Sequence, residues 1–170
     1  MEDSIDKTPF ETIIELLTEH EVEFIVIGGQ AETLHGSARV TFDIDLCYRR
    51  TGENLRRLAD VLAGLNPKLR DAPEDLPFRI DAESLALGSN FTLRTSVGDL
   101  DLLGHVEPLG GFERLAERAE HMRIGSVDVR VIHLDDLITI KQHLGRPKDR
   151  DSLMHLRAIQ RVREHDSETG

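Results

Sequence analysis

The sequence has 170 residues, of which 39% are hydrophobic and 31% charged, and its net charge at pH 7 is −11. We therefore expect a single domain over residues 1–170, with a core from about residue 8 to about residue 164. The longest aliphatic run, "FIVI", is too short to span a membrane, and the acidic start "MEDSIDKTPF" lacks the basic and apolar regions of a signal peptide. The single cysteine, Cys47, excludes an internal disulfide. The composition predicts a cytoplasmic protein with no membrane partner, and the negative charge opposes non-specific binding along nucleic acid.

The first predicted helix begins with a cap. Thr8 is a suitable N-cap and Pro9 fits the first helical position, and an apolar stripe continues to about His20. The segment "EFIVIGG" then predicts a short buried strand that ends in two glycines, and "QAETLHG" predicts a short helix closed by Gly36.

The segment "VTFDIDLCY" predicts a strand over residues 40–48, because polar and apolar residues alternate through it. Side chains two positions apart on a strand share a face and lie about 6.6 Å apart. We expect Phe42, Ile44 and Leu46 to face the core. Thr41, Asp43 and Asp45 then share the opposite face.

The remaining segments predict a mixture of helices and hairpins. "TGENLRRLADVLAGL" and "GGFERLAERAEHM" have helical spacing, and residues 66–89 form a long connection with one helical turn near Ala82–Leu87. "NFTLRT" with "DLDLL" predicts one hairpin and "RIGSVDVRVIHL" a second. Two helices, 135–144 and 149–164, finish the chain. This order predicts a mixed α/β or α+β fold.

The paired carboxylates Asp43 and Asp45 are the strongest chemical signal. Carboxylates at this spacing suit two divalent cations about 3.5–4 Å apart, and hard oxygen ligands favour Mg²⁺ or Mn²⁺. A solvent-facing edge of the sheet explains the pair equally well. However, the segment "GDLDLLG" places Asp101 in a second alternating strand, where a neighbouring strand could bring it to the pair. Asp99, beside the turn, is more easily explained by turn chemistry.

The glycine pair, Gly28 and Gly29, lies at a strand-to-helix junction. Without side chains it lets a phosphate approach the backbone, but a tight turn also explains it. The pair is neither a Walker loop nor a dinucleotide fingerprint.

The succession of "GG", "TFDIDL" and "GDLDLL" resembles the nucleotidyltransferase core of the DNA polymerase beta superfamily, in particular small bacterial domains similar to AbiE-type (abortive infection) toxins. In that pattern a glycine pair lies on a short helix, Asp-x-Asp on the next strand and a third Asp on a later strand. The similarity continues through "LDDLITIKQHLGRPKDRDSL" and covers most of residues 22–160. It implies a polymerase-beta-like mixed sheet flanked by helices, with two C-terminal helices.

The resemblance also implies roles for individual residues. Asp43 and Asp45 would bind metal and the nucleoside triphosphate, and Asp101 would complete the metal site and help to activate the acceptor hydroxyl. Gly28, Gly29 and Thr41 would lie beside the nucleotide. One departure is Gly29, where the polymerase-like motif often has a serine that holds the terminal phosphate.

Basic residues near the site have two interpretations each. Lys141 would pair with triphosphate oxygens, or it would extend to solvent from a surface helix. Arg39 would reach a phosphate or would neutralise Asp43. Asp149 is most simply a helix N-cap.

Two classes of function remain open. The first is a metal-dependent enzyme that transfers a nucleoside monophosphate from a nucleoside triphosphate to a hydroxyl. The resemblance implies an acceptor that is an RNA such as tRNA, a protein or a small molecule, and a toxin–antitoxin setting with an antitoxin partner. The alternative is a non-catalytic nucleotide-sensing or partner-binding module on the same fold.

Overall fold

The first helix begins at the predicted cap. In the computed structural model, which describes residues 6–169, the Thr8 hydroxyl accepts a hydrogen bond of 3.1 Å from the backbone N–H of Glu11. The helix α1 (Pro9–Glu19) follows, with Phe10, Ile13 and Leu17 buried along one stripe. Residues 1–5 lie outside the described residues. They begin the segment "MEDSIDKTPF", which lacks the features of a signal peptide.

A mixed sheet forms the centre of the molecule. Within residues 6–169 it has seven strands, which are β1 (Phe24–Ile27), β2 (Asp45–Tyr48), β3 (Lys68–Leu69), β4 (Asn90–Arg94), β5 (Asp99–Leu103), β6 (Glu120–Ile124) and β7 (Val127–Val131). Their order across the sheet is β3-β4-β5-β2-β1-β7-β6. Strand β1 is buried along its whole length, as expected for a central strand, and it pairs antiparallel with β2 and parallel with β7. Strand β2 pairs parallel with β5.

Helices flank this sheet. After α1 they are α2 (Gly28–Leu34), α3 (Gly52–Ala63), α4 (Ala82–Leu87), α5 (Phe112–Ala116), α6 (Leu134–Leu144) and α7 (Pro147–Thr169). Helix α1 contacts β7 and α3, helix α3 packs on α4, and α6 and α7 pack against each other. This architecture confirms the predicted mixed α/β fold, the two C-terminal helices and both hairpins.

The strand predicted over residues 40–48 is shorter in the structure. Residues 40–44 are not part of β2, because β1 ends at Ile27, opposite Asp45, and the chain then turns into α2. Phe42 is 87% exposed, so the prediction that it faces the core is wrong. Asp43 consequently precedes the strand instead of lying within it.

A second predicted element also changes. The segment "GGFERLAERAEHM" is helical only over α5, and its last residues belong to strand β6, which pairs with β7 from Glu120 onward. The tertiary pairing with β7 therefore overrides the helical spacing of this segment. The connection over residues 66–89 contains the predicted helical turn, α4, and also the two-residue strand β3, which the sequence analysis did not predict.

None of the helices over residues 6–169 is long and apolar enough to cross a membrane.

Candidate active site

A cleft of about 440 Å³ lies where the central strands meet α6 and the start of α7. The sheet contributes Asp45 from β2 and Asp101 from β5, and the segment before β2 contributes Asp43. The helical side contributes Lys141 from α6, together with Arg146 and Lys148 from the junction with α7. The cleft therefore has carboxylates on one side and cations on the other.

Asp45 and Asp101 are direct neighbours across the parallel pair β2–β5. Residues in register on adjacent strands lie about 4.8 Å apart and point to the same face. Burial of Asp45, together with the charge of Asp101 beside it, raises the pKa of Asp45 to about 7. Two carboxylates held this closely favour a shared proton or a shared cation.

Asp43 reaches the same cleft from a different direction. Its backbone N–H donates a 3.2 Å hydrogen bond to the Thr41 hydroxyl, which fixes a tight bend before β2. Within residues 6–169, however, no three His, Cys, Asp or Glu side chains are arranged as a ready-made metal cluster. The structure thus brings Asp45 and Asp101 together as a pair and leaves Asp43 on the rim of the cleft.

The two glycines make room for residues of the chain itself. Gly28 has a φ of +67°, and a Cβ built there would lie 2.1 Å from Oδ2 of Asp45. A Cβ at Gly29 would lie 2.8 Å from the Thr41 hydroxyl. Of the two, only Gly28 lines the cleft among the described residues. Gly28 is therefore required for Asp45 to approach β1, whatever ligand the cleft binds.

Arg70 is a site residue that the sequence analysis missed. Its guanidinium donates a 2.6 Å hydrogen bond to Oδ1 of Asp101 and a second one, of 3.2 Å, to the backbone carbonyl of Leu93. Burial lowers the pKa of Arg70, but the hydrogen bond to Asp101 and the negative charge of that carboxylate outweigh burial, so the pKa of Arg70 is raised. One cation of the chain thus already neutralises the third carboxylate.

Lys141 belongs to a largely buried network of charges. Its ammonium lies 3.6 Å from Oε2 of Glu32 and 3.5 Å from Oδ1 of Asp149. Arg146 donates to Asp149 through Nε at 2.7 Å and through its backbone N–H at 3.1 Å. Burial opposes the ionisation of Asp149, but these hydrogen bonds and the charge of Lys141 hold its pKa below the usual range. The network fixes two cations at the edge of the cleft.

Glu32 was also missed, because α2 is too short to show a periodic pattern. Its side chain is 8% exposed, and among the described residues its Oε1 has no hydrogen-bond partner. The Glu32 carboxylate lies 3.6 Å from the Lys141 ammonium and therefore partly offsets the positive charge that a ligand of Lys141 would experience.

Arg39 does not line the cleft. Its guanidinium donates to the Ser152 hydroxyl and, at 3.2 Å, to the carbonyl of Lys148, so it ties the segment before β2 to α7. Its predicted contacts with phosphate or with Asp43 have no support in this geometry. Thr41 likewise acts on the backbone of Asp43 and lies outside the cleft lining.

The donor set fits a divalent cation. Asp45 and Asp101 supply paired hard oxygen donors to the cleft and Asp43 supplies another from its rim, which is the ligand chemistry that Mg²⁺ and Mn²⁺ prefer. A cation would also offset the burial and the repulsion from Asp101 that together raise the pKa of Asp45. The cations across the cleft would pair with phosphate oxygens.

Comparison with curated proteins yields no match to the sequence. Several solved structures share the fold at low sequence identity, and they include the following two. The lincosamide antibiotic adenylyltransferase LnuA, with lincomycin bound, has a TM-score of 0.59 and 16% identity, over 89% of this chain and 96% of that one. The ANT(2″)-Ia complex with adenylyl-2″-tobramycin has a TM-score of 0.54 and 16% identity, over 94% and 98% of the two chains.

Residues 8–163 match the protein family described as nucleotidyltransferase of unknown function (DUF6036). The match covers most of the chain, including every carboxylate and cation of the cleft. The protein therefore belongs to this family and is a nucleotidyl-transferring enzyme.

Proposed function

We propose that the enzyme transfers a nucleoside monophosphate from a nucleoside triphosphate to the hydroxyl of a small molecule, with Mg²⁺ or Mn²⁺ held by Asp43, Asp45 and Asp101. The observation that carries the proposal is the Asp45–Asp101 pair facing Lys141 and Arg146 across one cleft. Phosphoryl transfer needs carboxylates that bind metal ions and basic side chains that bind phosphate groups.

The reaction forms one bond and breaks another. The acceptor oxygen attacks the α-phosphorus, the bond between that phosphorus and the bridging oxygen breaks, and pyrophosphate leaves. The hydroxyl proton passes to Asp101, whose Oδ1 is already held by Arg70. Lys141, Arg146 and Lys148 stabilise the negative charge on the departing pyrophosphate. Asp43, Asp45 and Asp101 would hold the metal, which would supply polarisation of the phosphate oxygens and neutralisation of the developing charge.

A small-molecule acceptor is supported by the structural neighbours. One of them contains lincomycin and the other contains an adenylylated tobramycin, so this fold accommodates transfer to small hydroxylated molecules. The net charge of −11 also disfavours a polyanionic acceptor. The ligands of the neighbours and the net charge of the chain therefore both favour a small-molecule acceptor over an RNA.

The test is label transfer from the four α-labelled nucleoside triphosphates, with Mg²⁺ or Mn²⁺. The acceptors are total RNA, lysate protein and a small-metabolite fraction. We expect label in the small-metabolite fraction, and at least about a 100-fold loss in Asp45→Asn and Asp101→Asn. Asp128→Asn, an exposed carboxylate on β7, is the matched control and should retain activity.

Other outcomes change the proposal in defined ways. Label on RNA or protein would reject the small-molecule acceptor and favour the toxin of a toxin–antitoxin pair, as the similarity to AbiE-type domains implies. Metal-dependent nucleotide binding without any transfer would favour the nucleotide-sensing module. Transfer that survives both Asn substitutions would exclude the carboxylates as the catalytic site.

A further inference from the structure

A second groove, of about 350 Å³, adjoins the cleft across Asp43. Asp43 lines both cavities, while its near neighbours Ile44 and Asp45 each line only one, the groove and the cleft respectively. The floor of the groove is apolar, formed by the buried side chains of Phe10 and Ile44. A ligand in this groove therefore lies beside the reacting centre without occupying the cleft.

The two cavities differ in charge. The cleft contains Lys141, Arg146 and Lys148, whereas no Lys, Arg or His among the described residues lines the groove. Two carboxylates, Asp43 and Asp99, line it instead. Within residues 6–169 no cation lies within 4.0 Å of Asp43 in an ion pair, while Asp99 has Arg70 and Arg94 at that distance. The groove consequently repels a phosphate-bearing ligand and attracts a cationic one.

The rim of the groove exposes an aromatic ring. Phe42 is 87% exposed and, two residues before it, Val40 is 84% exposed. Gln30 donates a 3.3 Å hydrogen bond to the carbonyl of Thr41, so the backbone of this rim is tied to α2. An exposed ring on a tethered backbone beside two carboxylates is a suitable surface for an ammonium group or a sugar face.

The nucleotide has no need of this groove. The cleft combines cations for the phosphates with apolar side chains for a base and a sugar, among them Leu103, Val106 and Ile140. In phosphoryl transfer the attacking and leaving oxygens lie on opposite sides of the phosphorus. Since no residue of α6 or α7 lines the groove among the described residues, it lies away from the cations that would hold pyrophosphate.

We propose that this groove binds the acceptor, and that the acceptor is an amine-bearing, hydroxylated small molecule without phosphate groups. Its ring packs on Phe42, an ammonium group faces Asp99, and its reacting hydroxyl reaches the α-phosphorus past the Asp43 that the proposed function assigns to the metal. The inference rests on the proposed function and specifies the acceptor class of that same site.

The test is amide chemical-shift mapping of the whole ¹⁵N-labelled chain. The probes are tobramycin as an amine-bearing polyol, sucrose as a neutral one, spermidine as a polyamine without rings, and a short oligoribonucleotide. We expect tobramycin to perturb the amides of residues 40–44 and 98–99, and to bind about tenfold more weakly to Phe42→Ala. Leu87→Ala, which removes another side chain that is 83% exposed, should bind tobramycin as the native chain does.

ATP with Mg²⁺ separates failure of the inference from failure of the proposed function. ATP should perturb Gly28 and Lys141 and leave residues 40–42 unchanged. If none of the four nucleoside triphosphates binds the cleft with Mg²⁺, the proposed function fails whatever the groove binds. If one of them binds but tobramycin leaves the groove unperturbed, the inference is wrong. The inference is also overturned if spermidine or the oligoribonucleotide shifts the same amides as tobramycin, or if ATP shifts the amide of Phe42.

Discussion

The ionisation state of the Asp45 carboxyl depends strongly on pH near neutrality. Burial, with the neighbouring charge of Asp101, raises its pKa to about 7, so the side chain changes from mainly neutral to mainly ionised between pH 6 and pH 8. A metal ligand must be ionised, and the proton therefore competes with the metal for this carboxylate.

We expect the affinity for Mn²⁺ to rise about tenfold between pH 6 and pH 8 and then to level off. Isothermal titration of the whole chain with Mn²⁺ at several pH values measures this dependence. Asp45→Asn should bind Mn²⁺ weakly and show no such rise. A flat pH profile for the native chain would mean that Asp45 is not a ligand or is already ionised at pH 6.

The same residue makes the metal-free chain sensitive to pH. The folded-state pKa is raised, so the contribution of Asp45 to stability is fully present below its unfolded pKa near 4 and is lost as the pH rises through about 7. Asp45→Asn should consequently raise the melting temperature of the metal-free chain at pH 8 but not at pH 4. An equal gain at both pH values would show that packing, and not charge, explains the effect.

At the scale of the elements, the turn between α6 and α7 organises the basic side of the cleft. Helix α6 ends on Gly145 with a left-handed φ of +60°, and the chain then brings Arg146 onto Asp149 in the first turn of α7. Asp149 is fully buried and also lies 3.5 Å from Lys141. One carboxylate therefore holds two of the cations proposed to bind phosphate.

Asp149→Asn should both destabilise the fold and weaken nucleotide binding. Removing one partner of a buried ion pair costs about 3 kcal/mol. Lys141 would keep Glu32 as a counter-ion, whereas Arg146 would lose its only ion-pair partner among the described residues. Urea unfolding gives the free energy, and the KM for the nucleoside triphosphate should rise. Asp151→Asn, an exposed carboxylate two residues later, should change stability by no more than about 0.5 kcal/mol. Similar losses in both variants would argue against the network.

The elements with strong periodicity could be predicted from the sequence, and those set by tertiary pairing could not. The cap at Thr8 and the alternation around Asp101 are local signals, and the structure confirms the helix and the strand that they predict. The start of β2 depends instead on where β1 ends, which no property of residues 40–44 indicates. Arg70 reaches Asp101 only because the two-residue strand β3 pairs with β4.

At the scale of the whole molecule, the fold brings basic residues from the C-terminal helices to carboxylates of the central sheet in one cleft. Residues 141–164 contain seven bases and three acids, and three of those bases, Lys141, Arg146 and Lys148, line the cleft. Helices α6 and α7 carry the basic part to the edge of a sheet that presents Asp45 and Asp101. A metal-bound triphosphate would contact both sides at once and would therefore link the C-terminal helices to the sheet.

This linkage predicts that ATP with Mg²⁺ stabilises the whole chain against heat. A ligand at about 100 times its dissociation constant adds about 2.7 kcal/mol, which corresponds to a rise of roughly 5–10 °C for a domain of this size. Scanning calorimetry should show this rise with ATP and Mg²⁺ together, and little with ATP and a chelator. Lys141→Met should reduce the rise, because the ligand then loses its main contact on α6. A full rise in that variant would mean that the triphosphate is held by the sheet alone, and that the basic residues of α6 and α7 serve the fold and not the nucleotide.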